Sequence, residues 1–264
     1  SRRSSRGDLM ETNLARPARA LAIGAHPDDI EFGCGATLAK WASAGTEIFH
    51  LVCTDGSKGT WDPDQDPAEL VAARHLEQKA AARALGGSGE VAFLDHVDGE
   101  LGSSMAERRE VAGWIRRLRP EVVFGHDPWK RYRLHPDHRN AGFLATDGIV
   151  AARDPLFFPA LDVAPHRPHT LLLWEADDVN HVEDVTGFVT EKLAALLEHR
   201  SQLRSTMGIS SAGTDLDGGS GENREKHEHR EVAAFKQKVT ERLAENGAAQ
   251  GFGAAETFHK ITPL

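Results

Sequence analysis

The sequence of 264 residues contains only two cysteines, and it has no apolar run long enough to cross a bilayer. Cys34 and Cys53 are therefore interpreted as small core residues rather than as parts of a disulfide scaffold. A membrane span needs about 18 or more consecutive apolar residues. The arginine-rich opening is not followed by the apolar segment of a secretory signal. We expect a cytoplasmic protein without a membrane span.

Basic residues are also in the minority, because 31 lysines and arginines stand against 40 aspartates and glutamates, a formal net charge of −9. That sign disfavours a phosphate backbone or an anionic lipid surface as the main partner. We therefore expect a small-molecule partner and no nucleic acid. A homo-oligomer is left open by these observations.

Short apolar segments alternate with helical patterns from Ala18 to about Arg153, which is typical of repeated β-α-β units. Predicted strands cover Ala20–Ile23, Glu47–Cys53, Val91–Leu94, Val122–Gly125 and His169–Trp174. Predicted helices cover Gly33–Ala44, Ala68–Leu85, Met105–Leu118, Asp137–Ala152, Thr186–Leu203 and Glu225–Leu243. The predicted fold class is α/β, with a Rossmann-like, mostly parallel sheet and helices on both faces.

The two ends of the chain differ from its middle. Residues 1–18 are polar and are interpreted as a disordered tail or a remnant of cloning. Residues 19–264 are predicted to form a single domain with an embellished C-terminal part. Within that part, residues 208–221 are small and polar, which predicts a mobile loop and suggests a lid.

Polar clusters follow the predicted strands at their ends. Because ligands bind beyond the carboxyl ends of parallel strands, we expect these clusters to meet in one cleft. The clusters are His26-Pro27-Asp28-Asp29, Thr54-Asp55-Gly56, Asp95-His96-Val97-Asp98-Gly99 and His126-Asp127-Pro128.

The first cluster combines an imidazole with two adjacent carboxylates, which repel each other unless a cation lies between them. About 110 residues later the sequence contains a second motif, His135-Pro136-Asp137-His138. A catalytic zinc ion usually has three protein ligands and an open position for water. His26, Asp29 and one histidine of the second motif form such a set. The alternatives are that the aspartates only cap a helix and that the histidines only lie on the surface.

The pairing of Ala25-His26-Pro27-Asp28-Asp29 with His135-Pro136-Asp137-His138 resembles the PIG-L/LmbE superfamily of metal-dependent N-deacetylases. By that resemblance, His26, Asp29 and His138 would bind Zn²⁺ or another divalent metal. Weaker matches follow in the same order along the chain, namely Thr54-Asp55-Gly56, Arg74-His75-Leu76-Glu77, Asp98-Gly99 and His199-Arg200-Ser201-Gln202.

The resemblance also implies roles for neighbouring residues. Asp28 would be the general base that takes a proton from a metal-activated water. His135 would face the substrate carbonyl and either stabilise the oxyanion or protonate the leaving amine. Asp137 would orient a histidine, although an exposed aspartate at a helix start explains it equally well.

Four further residues are candidates for binding the substrate. Arg74 and Asp98 match positions that hold the sugar-like part of the substrate, although a solvated ion pair and a turn explain them as well. Arg133 stands where some superfamily members carry a tyrosine that assists the oxyanion. Tyr132, the single tyrosine of the chain, is one residue further away.

The resemblance therefore implies a zinc-dependent hydrolase of an N-acetyl or N-acyl amide bond. Its expected substrate is a small amino-sugar conjugate of the N-acetylglucosaminyl type. One alternative is a nucleotide-binding Rossmann-type protein, although the first strand is not followed by the Gly-x-Gly-x-x-Gly turn. The other is a non-catalytic metal-binding regulator, which would need neither Asp28 nor His135.

Overall fold

A computed structural model describes residues 10–87, 90–210 and 221–264, which form an eight-stranded sheet and six α-helices. The strands are β1 (Glu11–Thr12), β2 (Arg19–Gly24), β3 (Glu47–Thr54), β4 (Val91–His96), β5 (Val122–His126), β6 (Thr170–Trp174), β7 (His181–Asp184) and β8 (Ala255–Ile261). The helices are α1 (Asp29–Ser43), α2 (Pro67–Ala84), α3 (Met105–Leu118), α4 (Pro136–Arg153), α5 (Val189–Glu198) and α6 (Gly221–Ala248). Short 3-10 helices cover Pro159–Leu161 and Arg200–Gln202. No helix in these described ranges is long and apolar enough to cross a membrane.

The strand order of the sheet is β1-β7-β8-β6-β5-β2-β3-β4. Strands β2 to β6 are parallel, whereas β8 is antiparallel to both β6 and β7. The chain leaves β2 for β3 on one side and later returns to β5 on the other side. The connections that follow β2 and β5 therefore diverge at a switch point, where open α/β sheets bind ligands. These two connections carry the His26–Asp29 and His135–His138 segments.

Alternate residues of the central strands face opposite layers of helices. Leu21 and Ile23 pack with residues of α3 and α4, whereas Ala20 and Ala22 pack with residues of α1, α2 and α5. This is the two-residue period of a strand, and burial of both faces explains why the parallel strands read as continuous apolar runs. The predicted α/β class, with helices on both faces of a mostly parallel sheet, is confirmed.

Helix α1 begins at Asp29, four residues before its predicted start at Gly33. Asp29, a predicted metal ligand, therefore lies in the first turn of the helix. The helix is interrupted at Cys34, whose φ of −145° and ψ of 15° are not helical. Beyond the interruption, the N–H groups of Ala36 and Thr37 donate to the carboxylate of Glu256 at 3.1 and 2.7 Å. Strand β8, which contains Glu256, therefore anchors the helix that carries the site.

The sequence predictions are wrong at both ends of the chain. Residues 10–18 are not a disordered tail, because Glu11–Thr12 pairs with β7 and the N–H of Leu14 donates to Oε1 of Glu183 at 2.7 Å. Residues 1–9 lie outside the described residues.

Strands β7 and β8 were not predicted, and α5 begins at Val189 instead of Thr186. Strands β7 and β8 pair with each other and with β1 and β6, which lie far away along the chain, and local periodicity does not record such partners. Of the predicted loop 208–221, residues 211–220 also lie outside the described residues.

Arg116 of α3 closes the C-terminal end of α4, whose last carbonyl groups have no partner within the helix. Its buried guanidinium donates to four main-chain carbonyls at distances of 2.8 to 3.0 Å, those of Ala151, Ala152, Asp154 and Phe157. Arg116→Met removes all four contacts, and only the carbonyls of Ala152 and Asp154 keep another described donor, the N–H groups of His166 and Phe157. We therefore expect the free energy of unfolding to fall by about 2–4 kcal/mol. Urea denaturation measures the change.

The matched control is Arg117→Met, on the exposed side of the same helix, where the guanidinium lies 4.3 Å from the Trp114 ring. Loss of an exposed cation–π contact costs about 1 kcal/mol or less. Equal destabilisation by the two substitutions would contradict the capping role of Arg116.

Candidate metal centre

The loop between β2 and α1 is held by hydrogen bonds within itself. The N–H of His26 donates to Oδ2 of Asp29 at 2.7 Å, and the N–H of Asp29 donates to the carbonyl of His26 at 3.3 Å. Asp28 has a φ of 105° and a ψ of −28°, in the left-handed region. Such a backbone costs a non-glycine residue about 1–3 kcal/mol and occurs preferentially at functional sites.

Helix α4 brings His138 to this loop. Nε2 of His138 lies 3.2 Å from Nδ1 of His26 and 3.3 Å from Oδ1 of Asp29. Nδ1 of His26 lies 3.3 Å from Oδ2 of Asp29. Donor atoms about 2.0–2.1 Å from a tetrahedral zinc ion lie about 3.3 Å from one another. Asp29 uses a different oxygen for each contact, Oδ1 toward His138 and Oδ2 toward His26, so the three side chains converge without one oxygen at this spacing from both nitrogens. A tetrahedral ion held by the three side chains would keep a fourth position for water or substrate.

The other nitrogen of His26 contacts two carboxylates. Nε2 of His26 lies 3.2 Å from Oδ2 of Asp137 and 3.2 Å from Oδ1 of Asp98. Because both contacts require a hydrogen on Nε2, Nδ1 is the nitrogen that is available to a metal, and it faces His138 and Asp29. Carboxylates that accept from a histidine in this way orient it as a metal ligand.

Asp137 is fully buried in the first turn of α4. Its Oδ2 also accepts the N–H of Gly99 at 2.6 Å, and its Oδ1 accepts the N–H of Leu101 at 3.2 Å. The alternative that Asp137 is an exposed aspartate at a helix start is therefore wrong. Asp137 joins α4 to the loop after β4 and supports His26.

His126, the last residue of β5, orients Asp29. The indole N–H of Trp174, which can only donate, lies 3.0 Å from Nδ1 of His126. Nδ1 is therefore an acceptor, and the ring hydrogen lies on Nε2, 3.2 Å from Oδ2 of Asp29. A nitrogen that carries a hydrogen cannot bind a metal. This argues against the donor set of Asp29, His126 and His138, although their atoms lie within 4.8 Å of one another.

The charge of the centre also favours a cation. Four carboxylates, those of Asp28, Asp29, Asp98 and Asp137, are buried close to His26. Burial lowers the pKa of His26, but its contacts with Asp137, Asp29 and Asp98 outweigh burial and raise that pKa well above its usual value. A divalent cation among these groups would compensate the excess negative charge.

Asp28 and His135 lie beside the three donors. Burial raises the pKa of Asp28 to about 6, although Arg74, 3.6 Å from Oδ2 of Asp28, opposes the shift. A buried carboxylate of this kind accepts a proton more readily than an exposed one. Nδ1 of His135 accepts the N–H of Asp137 at 3.3 Å, so its hydrogen lies on Nε2. Partial burial, with His26 and His138 nearby, lowers the pKa of His135 and favours this neutral donor.

The centre opens into a cavity of about 540 Å³, which Arg74 and Asp98 line. Arg74 is buried and donates to the carbonyls of Pro27 and Gly56 at 2.6 and 2.8 Å, which fixes it beneath the loop. The carboxylate of Asp98 makes two contacts. Its Oδ1 lies 3.2 Å from Nε2 of His26, and its Oδ2 accepts the N–H of Lys58 at 3.1 Å. Asp98 therefore has a supporting role that the sequence did not indicate, and substrate binding by both residues stays a prediction.

The structure does not bring Tyr132 or Arg133 to the described part of the cavity lining. Tyr132 has a φ of 59° in the turn before α4, and it is 87% exposed. The Arg133 side chain is only 4% exposed, donates to Oε2 of Glu175 at 2.9 Å and lies 3.3 Å from Nδ1 of His126. Arg133 supports Glu175, which does line the cavity, and a role of Arg133 or Tyr132 in binding the substrate stays a prediction.

The segment His199-Arg200-Ser201-Gln202 contacts α2 and reaches the cavity through Gln202. The N–H and the hydroxyl of Ser201 donate to the carboxylate of Glu77 at 2.8 and 2.7 Å. Gln202 donates to the carbonyl of Gly59 at 3.1 Å and lines the cavity. The weaker matches of the sequence therefore include residues that join α2 to the end of α5.

Gln78 and Glu31, which contact this region from behind, were not singled out from the sequence. A signal was available on α2, where Leu70, Arg74, Gln78 and Ala82 recur at every fourth position. That spacing places all four on one face of a helix, and all four are buried. Two polar residues on an apolar face indicate a structural or functional contact, but the spacing does not name the partner.

Comparisons with known proteins agree with this geometry. The family profile described as "PIG-L: GlcNAc-PI de-N-acetylase" matches residues 21–149. Diacetylchitobiose deacetylase of Thermococcus kodakarensis is 35% identical over 187 residues, which cover 70% of each chain. The 1D-myo-inositol 2-acetamido-2-deoxy-alpha-D-glucopyranoside deacetylase of Streptomyces avermitilis is 33% identical over 54% of this chain and 56% of its own length. The crystal structure of N,N'-diacetylchitobiose deacetylase from Pyrococcus horikoshii superposes with a TM-score of 0.77 at 28% identity, covering 93% of this chain and 84% of that chain.

Proposed function

Because the chain belongs to the PIG-L family and is an N-deacetylase, we propose that it de-N-acetylates a small N-acetylglucosaminyl conjugate with a zinc ion bound by His26, Asp29 and His138. The observation that carries the proposal is the convergence of the three side chains beside the buried Asp28, with the two histidine nitrogens 3.2 Å apart and each 3.3 Å from one oxygen of Asp29. Imidazole and carboxylate donors together suit zinc, and other divalent ions of similar size also accept them.

An amide is a weak electrophile with a poor leaving group, so its hydrolysis needs three kinds of assistance. A divalent ion bound at the centre would polarise the acetyl carbonyl and make water more acidic. Asp28 takes a proton from the attacking water while the oxygen of that water forms a bond to the acetyl carbon. Nε2–H of His135 donates to the carbonyl oxygen as negative charge develops there.

The second half of the reaction breaks the bond between the acetyl carbon and the sugar nitrogen. The proton held by Asp28 passes to that nitrogen, which leaves as a free amine, and acetate is the other product. One carboxylate thus serves as base and then as acid. Burial that raises the pKa of Asp28 suits both tasks, because its two protonation states then differ little in free energy.

The cavity suits a polyhydroxylated substrate. Its lining includes the charged side chains of Lys58, Arg74 and Glu175 and the polar side chains of Gln202 and Thr206. These groups can donate and accept hydrogen bonds to sugar hydroxyls. The named relatives act on diacetylchitobiose and on an inositol glycoside of 2-acetamido-2-deoxyglucose, so we propose the acetamido sugar as the common part of the substrate.

The two alternatives raised by the sequence fit the site less well. A nucleotide-binding protein of this topology would carry a glycine-rich turn after its first parallel strand, where this chain has the strained and acidic Asp28. A metal-binding regulator would need the three donors but would gain nothing from a buried base beside them. Asp28 and His135 therefore favour hydrolysis.

We expect the zinc-loaded protein to release primary amine from diacetylchitobiose or from N-acetylglucosaminyl-inositol. Chelation should reduce amine release at least about a hundredfold, and stoichiometric zinc should restore it, because the ion supplies carbonyl polarisation and water activation together. A fluorogenic amine reagent measures the product. The apoprotein with calcium is the control, since calcium prefers more oxygen ligands than this centre offers. Activity that is indifferent to chelation would contradict the proposal.

A further inference from the structure

Four polar side chains lie behind Asp28, and the proposed mechanism does not use them. They are Glu31 of α1, His50 of β3, Gln78 of α2 and His199 after α5, and each is at most 1% exposed. Burial of such groups disfavours folding unless they are hydrogen bonded. Even when paired, buried polar clusters can often be replaced by apolar side chains without loss of stability. Stability alone therefore does not account for this cluster.

Gln78 links the cluster to the main chain of the proposed base. Its Oε1 accepts the N–H of Asp28 at 3.0 Å, and its Nε2 donates to Oε1 of Glu31 at 2.7 Å. Nε2 also lies 3.3 Å from Nδ1 of His50. Because an ionised carboxylate only accepts hydrogen bonds, Glu31 fixes which end of the Gln78 amide faces it. The carbonyl end must then face Asp28.

Glu31 is itself held by His199. Nε2 of His199 lies 3.1 Å from Oε2 of Glu31, and both side chains are fully buried. Burial lowers the pKa of His199, but the contact with Glu31 and the nearby charge of Asp28 raise it above its usual value. The imidazole therefore keeps a hydrogen on Nε2 for Glu31. A continuous chain of contacts runs from the end of α5, through Glu31 and Gln78, to Asp28.

The backbone of Asp28 requires such support. Its φ of 105° is unfavourable for a residue with a side chain, and as the residue before α1 it has no helical acceptor for its N–H. Gln78 supplies that acceptor from another helix. The side chain of Asp28 projects from this backbone toward Arg74, with Oδ2 3.6 Å from the guanidinium. A relaxed φ at Asp28 would turn its carboxylate away from this position.

We propose that Gln78 is a positioning residue, which holds the left-handed backbone of Asp28 and thereby aims its carboxylate, while Glu31 and His199 fix the orientation of the Gln78 amide. This inference rests on the proposed function, because it assumes that Asp28 is the base. It adds a requirement that the active-site motifs do not contain, namely a glutamine on the buried face of α2.

The test is Gln78→Met, which keeps the length of the side chain and removes both hydrogen bonds. In the zinc-loaded protein we expect kcat to fall about tenfold to a hundredfold, as for other residues that orient a reacting group. KM should change less than about twofold, because Gln78 does not line the cavity, and the zinc content should be unchanged. Hydrogen exchange at the Asp28 amide, followed by NMR, should become faster, because that amide loses its acceptor.

The matched control is Thr37→Val, which removes a buried hydroxyl of α1 that makes no hydrogen bond. Its kcat should stay within about twofold of the wild type. Thermal unfolding shows whether Gln78→Met folds. If it does not fold, Gln78→Asn replaces it, because its side chain is one methylene too short to reach both partners. Gln78→Asn should show the same fall in kcat. A folded Gln78 variant with wild-type kcat and wild-type exchange at Asp28 would overturn the inference. Asp28→Asn measured in parallel separates the two proposals, since activity in that variant would overturn the proposed function itself.

Discussion

Asp28→Asn is expected to lower kcat about a thousandfold while the bound zinc stays at the wild-type level. The amide has the shape of the carboxylate, but it cannot take a proton from water or return one to the leaving nitrogen. Positioned acid and base groups contribute about 10²–10⁴-fold to such reactions. Because Asp28 lies next to the proposed ligand Asp29 without belonging to the three-donor set, the metal should be retained. Steady-state amine release and elemental analysis of the purified protein measure the two quantities.

Asp127→Asn is the matched control, because Asp127 is also a buried aspartate in a loop that follows a central strand. Its Oδ1 accepts the N–H of Trp129 at 2.9 Å, a contact that an asparagine oxygen can also make. We expect its kcat to stay within a few-fold of the wild type. If Asp28→Asn hydrolysed the substrate as fast as this control, Asp28 could not be the base.

Replacement of a metal ligand should have the opposite signature, with metal and activity lost together. His138→Ala and Asp29→Ala are each expected to raise the dissociation constant for zinc about 10²–10³-fold. This corresponds to the loss of roughly a quarter of the free energy with which four ligands bind structural zinc. Titration against a chromophoric chelator measures the dissociation constant. The matched variant is His135→Ala, from the same helix start as His138, which should lower kcat yet bind zinc normally.

This comparison also decides between donor sets. Two groupings whose donor atoms lie within 4.8 Å of one another combine His26 with His135 and His138, or with Asp98, His135 and Asp137. Both contain His135, so both predict that His135→Ala loses zinc. The set of His26, Asp29 and His138 predicts that it does not. Normal zinc binding by Asp29→Ala would likewise contradict our assignment.

Much of the architecture was predictable because it depends on local patterns. The strand at Val122 was placed correctly because it is a short continuous apolar run, and the helix Met105–Leu118 because its apolar residues recur at the helical period. The clusters after β2 and β5 were predicted to meet, because parallel strands bring their carboxyl ends to one edge. The two histidine motifs then indicated a metal centre by the chemistry of their side chains. None of these inferences required knowledge of a distant contact.

The sequence by itself determined the fold class, the edge of the sheet where the site lies and the residue types that can bind a metal there. Only the tertiary structure decided which nitrogen of His26 faces the centre, because that depends on Asp98 and Asp137 behind the ring. It also decided that Arg133 supports Glu175 and that Gln78 holds the backbone of Asp28. The physical reason is that a hydrogen bond is directional and short, so the role of a polar side chain depends on the atom opposite it. In this protein that atom often belongs to a residue 50 or more positions away.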